Sequence, residues 1–393
     1  MSYVVIIDPG HGGEEYPGGQ FGPYVEKDMA LVVSNVIKNY LEQFDNVEVI
    51  LTRNDDRVVE LKDRADIAKA YNADLFISVH FNMSSNHSLF GSEIYIPAQK
   101  AYYQKMYPFA LEVMNNFDSM GLYNRGIKTR LGSNNDNYYA VIKYATNYGI
   151  PSCIIEHCHL DNFNDNRFLP YQNKAAYNAA LTNFGINDAT AIAKFLKLRS
   201  TSLNIDYSGY SAPKVNVNTS LVRPDSTAPE SNNISISKVD LSTDTVTVRM
   251  DAKDSNGFIL YYQYSTDNGK SFSPLIGWPR TSWNSSLNTC EFNVKVPHSG
   301  PVNILTIAYN GSDLPVLSNV LSFDNISSIP VNSVSNKVLY SENISTSTVV
   351  KELSKDTFWG KDSLSSLLFG LVLFGVTAFA FIKKKIGFLH DKT

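Results

Sequence analysis

The segment most informative about the fold is Tyr3-Val-Val-Ile-Ile-Asp-Pro-Gly-His-Gly-Gly13. Its apolar first half, bounded by a Pro-Gly turn, predicts a buried strand. Two similar, mostly apolar runs, Leu75–Val79 and Cys153–Ile155, end in His80 and Glu156. Because open α/β sheets place their active sites at the carboxyl ends of the strands, we expect these side chains to meet at one edge.

Strand and helix patterns alternate through residues 1–199. From Glu26 to Leu41, apolar residues recur every three or four positions, which predicts an amphipathic helix. Val47–Leu51 then predicts another strand. This alternation predicts an α/β domain with a mainly parallel sheet and helices on both faces.

The remainder of the 393-residue chain has a different pattern and predicts further units. Residues 200–227 lose all periodicity and predict a linker. Residues 228–325 contain short alternating strands with turn signals at Asp267-Asn-Gly269, which predict an immunoglobulin-like β-sandwich. Residues 326–363 are polar and are predicted to form a stalk.

The C-terminal region contains a candidate membrane span. Residues 364–382 are 19 positions without a charge, about 28 Å as a helix, which matches one bilayer core. Three lysines begin the basic tail, residues 383–393. We therefore expect a transmembrane helix in a lipid bilayer, with the catalytic domain facing outward and the tail inside. No signal peptide is visible before the first strand, so the export route stays open.

Composition excludes some classes of function. The net charge of -4 argues against nucleic acid as a main partner. Three cysteines are too few for a disulfide framework and are expected to be small buried residues.

Three residues can supply the ligands of a catalytic zinc, which takes three protein ligands and leaves one position open. They are His11, Glu26 and His80, and the glycines around His11 permit a sharp turn at the metal. Glu156 would lie beside the open position as a general acid and base. The spacing alone is weak evidence, since His11 could be a hydrogen-bonded loop residue and Glu26 a helix N-terminal acid. Their shared sheet edge makes a zinc hydrolase the leading hypothesis.

Several short motifs strengthen this hypothesis because they occur in the order typical of one family. Residues 1–199 resemble the zinc-dependent N-acetylmuramoyl-L-alanine amidases, type 3. The resemblance is carried by Asp8-Pro-Gly-His-Gly-Gly13, Glu26-Lys-Asp28, Leu51-Thr-Arg-Asn-Asp55, Arg64, Phe76-Ile-Ser-Val-His-Phe-Asn82, Gly91-Ser-Glu-Ile-Tyr95 and Ile155-Glu-His157.

The resemblance implies a substrate and a role for each site residue. His11, Glu26 and His80 would bind Zn2+, and Glu156 would be the catalytic acid and base. The substrate would be the amide bond between N-acetylmuramic acid and L-alanine of peptidoglycan, in cell-wall remodelling or lysis at the bacterial cell envelope.

Two other functions stay open at this point. The same site could serve a zinc peptidase that cuts stem-peptide bonds, or the chain could be a non-catalytic cell-wall-binding surface protein. His157 and His159 stand where the family often has apolar or small residues, and their roles are open between structure and ligand binding. No substrate-binding residue is predicted.

Overall fold

The computed structural model describes residues 2–282, 285, 286 and 288–330, all of which belong to one compact unit, Met1–Glu342. The elements up to residue 206 are, in chain order, β1 (Tyr3–Pro9), β2 (Gln20–Phe21), β3 (Tyr24–Val25), α1 (Glu26–Leu41), β4 (Val47–Leu51), α2 (Leu61–Ala70), β5 (Leu75–Asn82), β6 (Ser92–Tyr95), α3 (Lys100–Ser119), β7 (Asn124–Lys128), α4 (Ala140–Asn147), β8 (Ser152–His159), α5 (Phe163–Asn166), α6 (Lys174–Phe195), β9 (Arg199–Ser200) and β10 (Ile205–Asp206).

Six of these strands form one sheet in the order β4-β1-β5-β8-β6-β7. All neighbouring pairs are parallel except β6 with β8, which is antiparallel. The predicted, mainly parallel α/β sheet is therefore confirmed. The carboxyl ends of β1, β5 and β8 meet at one edge, where the candidate side chains lie.

Apolar clusters cover both faces of the sheet, as predicted. Helices α1, α3 and α6 pack on one face against residues such as Val5 and Ile77. Helices α2 and α4 pack on the other face against Ile6 and Phe76. Side chains of successive residues in a strand point to opposite faces of the sheet. Because both faces are covered, successive residues of these strands must be apolar, and the strand sequences meet this requirement.

The segment predicted as a linker follows the surface of this first domain. The backbone nitrogen of Lys100 donates to the carbonyl of Ser220 at 2.9 Å, and Val222 donates to the carbonyl of Ala98 at 2.7 Å. Strands β9 and β10 form a small antiparallel pair. The chain thus reaches the second domain while hydrogen-bonded to the first.

The second domain contains two antiparallel sheets that share one apolar core. Its elements are β11 (Ser231–Asp240), β12 (Thr245–Lys253), β13 (Ile259–Ser265), β14 (Ile276–Gly277), β15 (Arg280–Ser282), β16 (Ser285–Ser286), β17 (Thr289–Lys295), β18 (Val302–Asn310), β19 (Pro315–Leu317), β20 (Leu321–Phe323) and a 3-10 helix (Ile326–Ser328). One of these sheets has the order β11-β12-β17 and the other β14-β13-β18-β19, with β20 also paired to β18, while β15 and β16 form a separate two-stranded sheet. Both sheets contribute side chains to this core, for example Val248 from one sheet and Ile259 and Ile304 from the other. Ile326 and Ile329, in the predicted stalk, are buried in it too.

The predicted membrane anchor requires a correction. A span needs about 20 mostly apolar residues. In the part of the chain that the structure describes, no helix combines the necessary length with the necessary apolar character. The two longest, α3 and α6, carry polar and charged side chains along their length. For these described residues, the finding contradicts the predicted single-pass membrane protein with a lipid bilayer as partner. The predicted span at residues 364–382, with most of the stalk and the basic tail, lies outside the described residues.

Candidate metal centre

His11 lies in the tight turn that follows β1, and its backbone is strained. Its φ is 60°, in the left-handed region, and Gly12 and Gly13 follow with φ of 131° and 73°. Such a conformation costs a non-glycine residue about 1–3 kcal/mol and persists only where the surroundings enforce it. Gly10 also has no room for a side chain, because a Cβ there would lie 2.4 Å from Cε1 of His80.

Two buried arginines hold this turn in place. Arg64 donates to the carbonyl oxygens of Pro9 at 2.7 Å and His11 at 2.6 Å. Arg53 donates to the carbonyls of Pro9 and Gly10, at 3.1 and 2.8 Å. The two guanidinium groups thus satisfy the carbonyl oxygens of the turn and stabilise its strained backbone.

Glu26 is the first residue of α1 and lies between the two histidines. Its Oε1 is 3.1 Å from Nε2 of His11 and 2.9 Å from Nδ1 of His80. Backbone amides complete its hydrogen bonding: Gly19 donates to Oε2 at 2.6 Å and Phe81 to Oε1 at 3.1 Å. Burial alone would raise the pKa of Glu26, but the hydrogen bonds from the histidines outweigh it and lower the pKa to about 2. The carboxyl is therefore ionised at neutral pH, as a metal ligand must be.

The backbone of His80 is held in place by a hydrogen bond from another histidine, His157. Its carbonyl oxygen is 2.9 Å from Nδ1 of His157, whose Nε2 is 2.8 Å from Oδ2 of Asp188 on α6. His157 is completely buried, and its ring stacks on Phe81 at 5.0 Å between centroids. This histidine supports the strand that carries His80 and points away from the cluster.

The nitrogen and oxygen atoms that His11, Glu26 and His80 can offer as ligands all lie within 4.8 Å of one another. The structure thus brings together the three residues that the sequence predicts as a ligand set. Two imidazoles and one carboxylate are donors that transition metals accept.

Glu156 lies in the sheet directly beside this cluster. In the sheet register its Cα is paired with that of His80 on β5 and with that of Glu93 on β6. Its Oε2 is buried and has no hydrogen-bond partner among the described residues. Burial raises the pKa of Glu156 well above its usual value, and the carboxylates of Glu26 and Glu93 raise it further. A carboxyl that has a buried oxygen without a hydrogen-bond partner and a raised pKa is a candidate for proton transfer.

Sequence reasoning left some residues of this region unassigned or missed them. Nδ1 of His159 donates to the carbonyl oxygen of Gly91 at 3.0 Å, and the side chain does not enter the cluster. Asp8 was missed, although it receives hydrogen bonds from Thr52 at 2.5 Å and Ser78 at 2.7 Å. An acidic residue that directly continues an apolar strand is the only sequence signal that could have indicated this buried role.

An α/β sheet that carries at its carboxyl edge a His-Glu-His cluster, and beside it a carboxyl with a buried and unpaired oxygen, has the layout of a metallohydrolase domain. A sequence model of the family "N-acetylmuramoyl-L-alanine amidase" matches residues 5–187. Residues 5–187 therefore form a domain of the N-acetylmuramoyl-L-alanine amidase family.

Individual relatives match over different parts of their length. The endolysin of Bacillus phage SPP1 is 29% identical over 216 residues, which are 54% of this chain and 71% of that protein. The amidase CwlM of Bacillus licheniformis is 31% identical over 167 residues, 41% of this chain and 58% of that protein. The amidase AmiC of Escherichia coli O6:H1 is 31% identical over 120 residues, 30% of this chain and 28% of that protein. The chain therefore spans less than two thirds of two of these three relatives.

Solved structures are similar over half of the chain. Cwp6 from Clostridium difficile is 27% identical, with a TM-score of 0.45, and the match covers 50% of this chain and 30% of that one. The catalytic domain of CwlV, an amidase from Bacillus (Paenibacillus) polymyxa, is 28% identical, with a TM-score of 0.39, and the match covers 50% of this chain and 99% of that one.

Proposed function

We propose that this protein hydrolyses the amide bond between N-acetylmuramic acid and L-alanine of peptidoglycan, with Zn2+ bound by His11, Glu26 and His80 and with Glu156 as the catalytic acid and base. The observation that carries the proposal is the free buried oxygen of Glu156 beside the cluster, in a domain of the amidase family. A module that only binds cell wall has no need for a proton-transfer group there.

The donor set supports zinc in particular. Two histidine nitrogens and one carboxylate oxygen make a three-ligand site, which is the number that catalytic zinc sites use while one position stays open to substrate. The low pKa of Glu26 keeps its carboxylate negatively charged at neutral pH, and the backbone amides of Gly19 and Phe81 fix the orientation of this carboxylate. Bound zinc would supply Lewis acidity, which polarises the scissile carbonyl and makes a coordinated water more acidic.

Glu156 performs the proton transfers in this proposal. Its carboxylate takes a proton from the water that attacks the lactyl carbonyl carbon, and gives it to the L-alanine nitrogen as the C–N bond breaks. The products are a lactyl carboxylate and a free L-alanine amine. Its raised pKa suits both steps, because a carboxyl that titrates nearer neutral pH can accept and then donate a proton. Such a group contributes about 10²–10⁴-fold to the rate.

The test uses the full chain, purified peptidoglycan and the substitution Glu156→Gln. We expect new L-alanine amino termini with the wild-type protein, and their loss with a zinc chelator or with the substitution. Glu112→Gln is a matched control, because Glu112 is partly buried on α3 and pairs there with Lys194, apart from the cluster.

The other outcomes separate the alternative functions. Amino termini that appear at other stem residues would indicate a peptidase. Binding to peptidoglycan without any new amino terminus, in a protein that holds one zinc ion, would indicate a wall-binding module. Unchanged turnover by Glu156→Gln would contradict the assigned proton transfer.

A further inference from the structure

The second domain packs against the first through aromatic side chains at the β7 end of the sheet. The rings of Phe90, Tyr123 and Tyr261 lie 4.9–5.3 Å apart between centroids. The hydroxyl of Tyr261 donates to the carbonyl of Phe90, and that of Tyr123 donates to the carbonyl of Leu260. Arg280 places its guanidinium 4.4 Å from the centre of the Tyr123 ring. Each domain thus satisfies polar groups of the other within an apolar contact.

Arg125 on β7 is the charged centre of this contact. Its side chain is only 2% exposed, and all three of its nitrogens donate. Nε donates to Oε2 of Glu93 at 2.8 Å, Nη1 to the hydroxyl of Tyr261 at 2.8 Å, and Nη2 to Oδ2 of Asp313 at 2.7 Å. Two of its three partners therefore come from the second domain. A buried charge requires such complete pairing.

The second domain also balances the charge of this group. Glu93 is paired with Arg125 and also with Lys128, whose Nζ is 2.7 Å from Oε2. Within the first domain these are two positive charges against one negative charge. Asp313 supplies the second negative charge. The group formed by Glu93, Arg125, Lys128 and Asp313 is therefore neutral only when both domains are in contact.

Glu93 connects this ionic group to the candidate catalytic strand. Its Cα is paired with that of Glu156 in the register of β6 and β8. Its Oε1 accepts a hydrogen bond from Nδ2 of Asn82, on β5 two residues after His80, at 2.8 Å. Glu93, on β6, is therefore hydrogen-bonded to side chains of β5 and β7, and it lies beside Glu156 on β8, the strand between β5 and β6.

We propose that the β-sandwich is a positioning module of the catalytic domain, in which Asp313 and Tyr261 hold Arg125, and Arg125 holds Glu93 beside Glu156. This inference rests on the proposed function of Glu156. The second domain is then part of the catalytic unit, and not only a spacer. Asp313, Tyr261 and Arg125 are positioning residues that do not touch the substrate.

Two substitutions in the full chain break this coupling in different ways. Asp313→Asn removes the second negative charge. Gly277→Ala adds one methyl group, whose Cβ would lie 2.6 Å from Cε2 of Tyr123, a ring that cannot move freely because it is packed and hydrogen-bonded. Matched controls are Asp251→Asn, which breaks an exposed Arg–Asp pair of the same sandwich, and Gly209→Ala, where a Cβ meets nothing within 4 Å.

We expect both test variants to lower kcat on peptidoglycan by about 10-fold or more, because small misplacements of catalytic groups are costly. KM and the zinc content should stay unchanged, and both controls should behave as wild type. Asp313→Glu should recover part of the kcat, since it restores the charge. Wild-type kcat in both test variants, or loss of activity that follows loss of zinc, would overturn the proposal.

Amide hydrogen exchange gives a second measurement that does not depend on activity. In Asp313→Asn and Gly277→Ala, the amides of β6 and β8 should exchange faster than in wild type, and those of β4 should not. Unchanged exchange in β6 and β8 would overturn the coupling even if the protein is an active amidase. Conversely, the wild-type protein could lack amidase activity while the two variants still show this faster exchange. That result would refute the proposed function and would support the mechanical link between the domains.

Discussion

Asp8 and Arg64 form a buried ion pair directly beneath the turn that carries His11, with Nη1 of Arg64 2.8 Å from Oδ1 of Asp8. Their side chains are 1% and 4% exposed. Nη2 of Arg64 continues to the carbonyl oxygen of His11 at 2.6 Å. The ion pair thus connects the end of β1 and helix α2 to the one candidate ligand whose backbone is strained.

Arg64→Gln should lower the free energy of unfolding by about 3–5 kcal/mol, because it leaves the carboxylate of Asp8 buried without its cation. Urea unfolding at pH 7 measures this loss. Lys62→Gln on the same helix is the control, since its pair with Asp66 is exposed and should contribute only about 0–1 kcal/mol. Equal stability of the two variants would contradict the structural role of the buried pair.

Gly10→Ala should abolish zinc binding while the second domain stays folded. The added Cβ would lie 2.4 Å from the imidazole of His80 and must displace either that ring or the turn. Calorimetric titration with zinc measures the loss of binding. A variant that still binds one zinc ion with wild-type affinity would show that the turn can move without cost, and Gly209→Ala is the matched control for an open position.

Zinc should raise the thermal stability of the full chain. A ligand that binds only the folded state stabilises it by about 2.7 kcal/mol at 100 times its Kd. The increase in Tm should be absent in His11→Ala. It should be retained in His298→Ala, where an exposed histidine of the sandwich is removed. A zinc-dependent increase that persists in His11→Ala would place the metal elsewhere.

Glu156→Gln should remove activity and stabilise the metal-free protein at neutral pH. The pKa of Glu156 is raised in the folded state by burial and by Glu26 and Glu93. A raised pKa means that the folded state keeps its proton more tightly, so stability is fully present below the unfolded pKa of about 4.3 and decreases as pH rises toward the folded pKa. Glu156→Gln lacks this carboxyl, so its stability does not decrease with pH for this reason.

Chemical unfolding of the metal-free wild type and of Glu156→Gln between pH 4 and pH 8 measures this difference. The two proteins should have similar stability at pH 4, and the variant should become increasingly more stable as pH rises. A difference that is constant across this range would show that the carboxyl does not titrate differently in the folded and unfolded states.

The candidate site could be predicted from sequence because its parts lie at the ends of recognisable elements. The apolar runs before His11, His80 and Glu156 indicate strands, and those strands are β1, β5 and β8. The helical period after Glu26 indicates α1, whose Met29, Val33 and Ile37 are buried at that spacing. Parallel strands then place their carboxyl ends at one edge, so the meeting of these side chains follows from the order of elements.

The supports behind the site could not be predicted, because each joins residues that are distant in the chain. His157 meets Asp188 on α6, 31 positions away, and nothing in either local pattern indicates the other. Alternation along β8 indicates only that His157 and Glu156 point to opposite faces. Which helix covers the face of His157, and with which side chain, is decided by packing.

Hydrophobic periodicity and turn residues act over a few positions, and local sequence was therefore enough to predict the alternation of strands and helices and the residues at the sheet edge. The docking of the second domain depends instead on contacts that exist only in the folded protein. Arg125 and Asp313 are 188 positions apart, and each has the local sequence of an ordinary surface residue. Their pairing depends on the shape of the Phe90, Tyr123 and Tyr261 contact, which excludes water and so makes a buried charge require its exact partners.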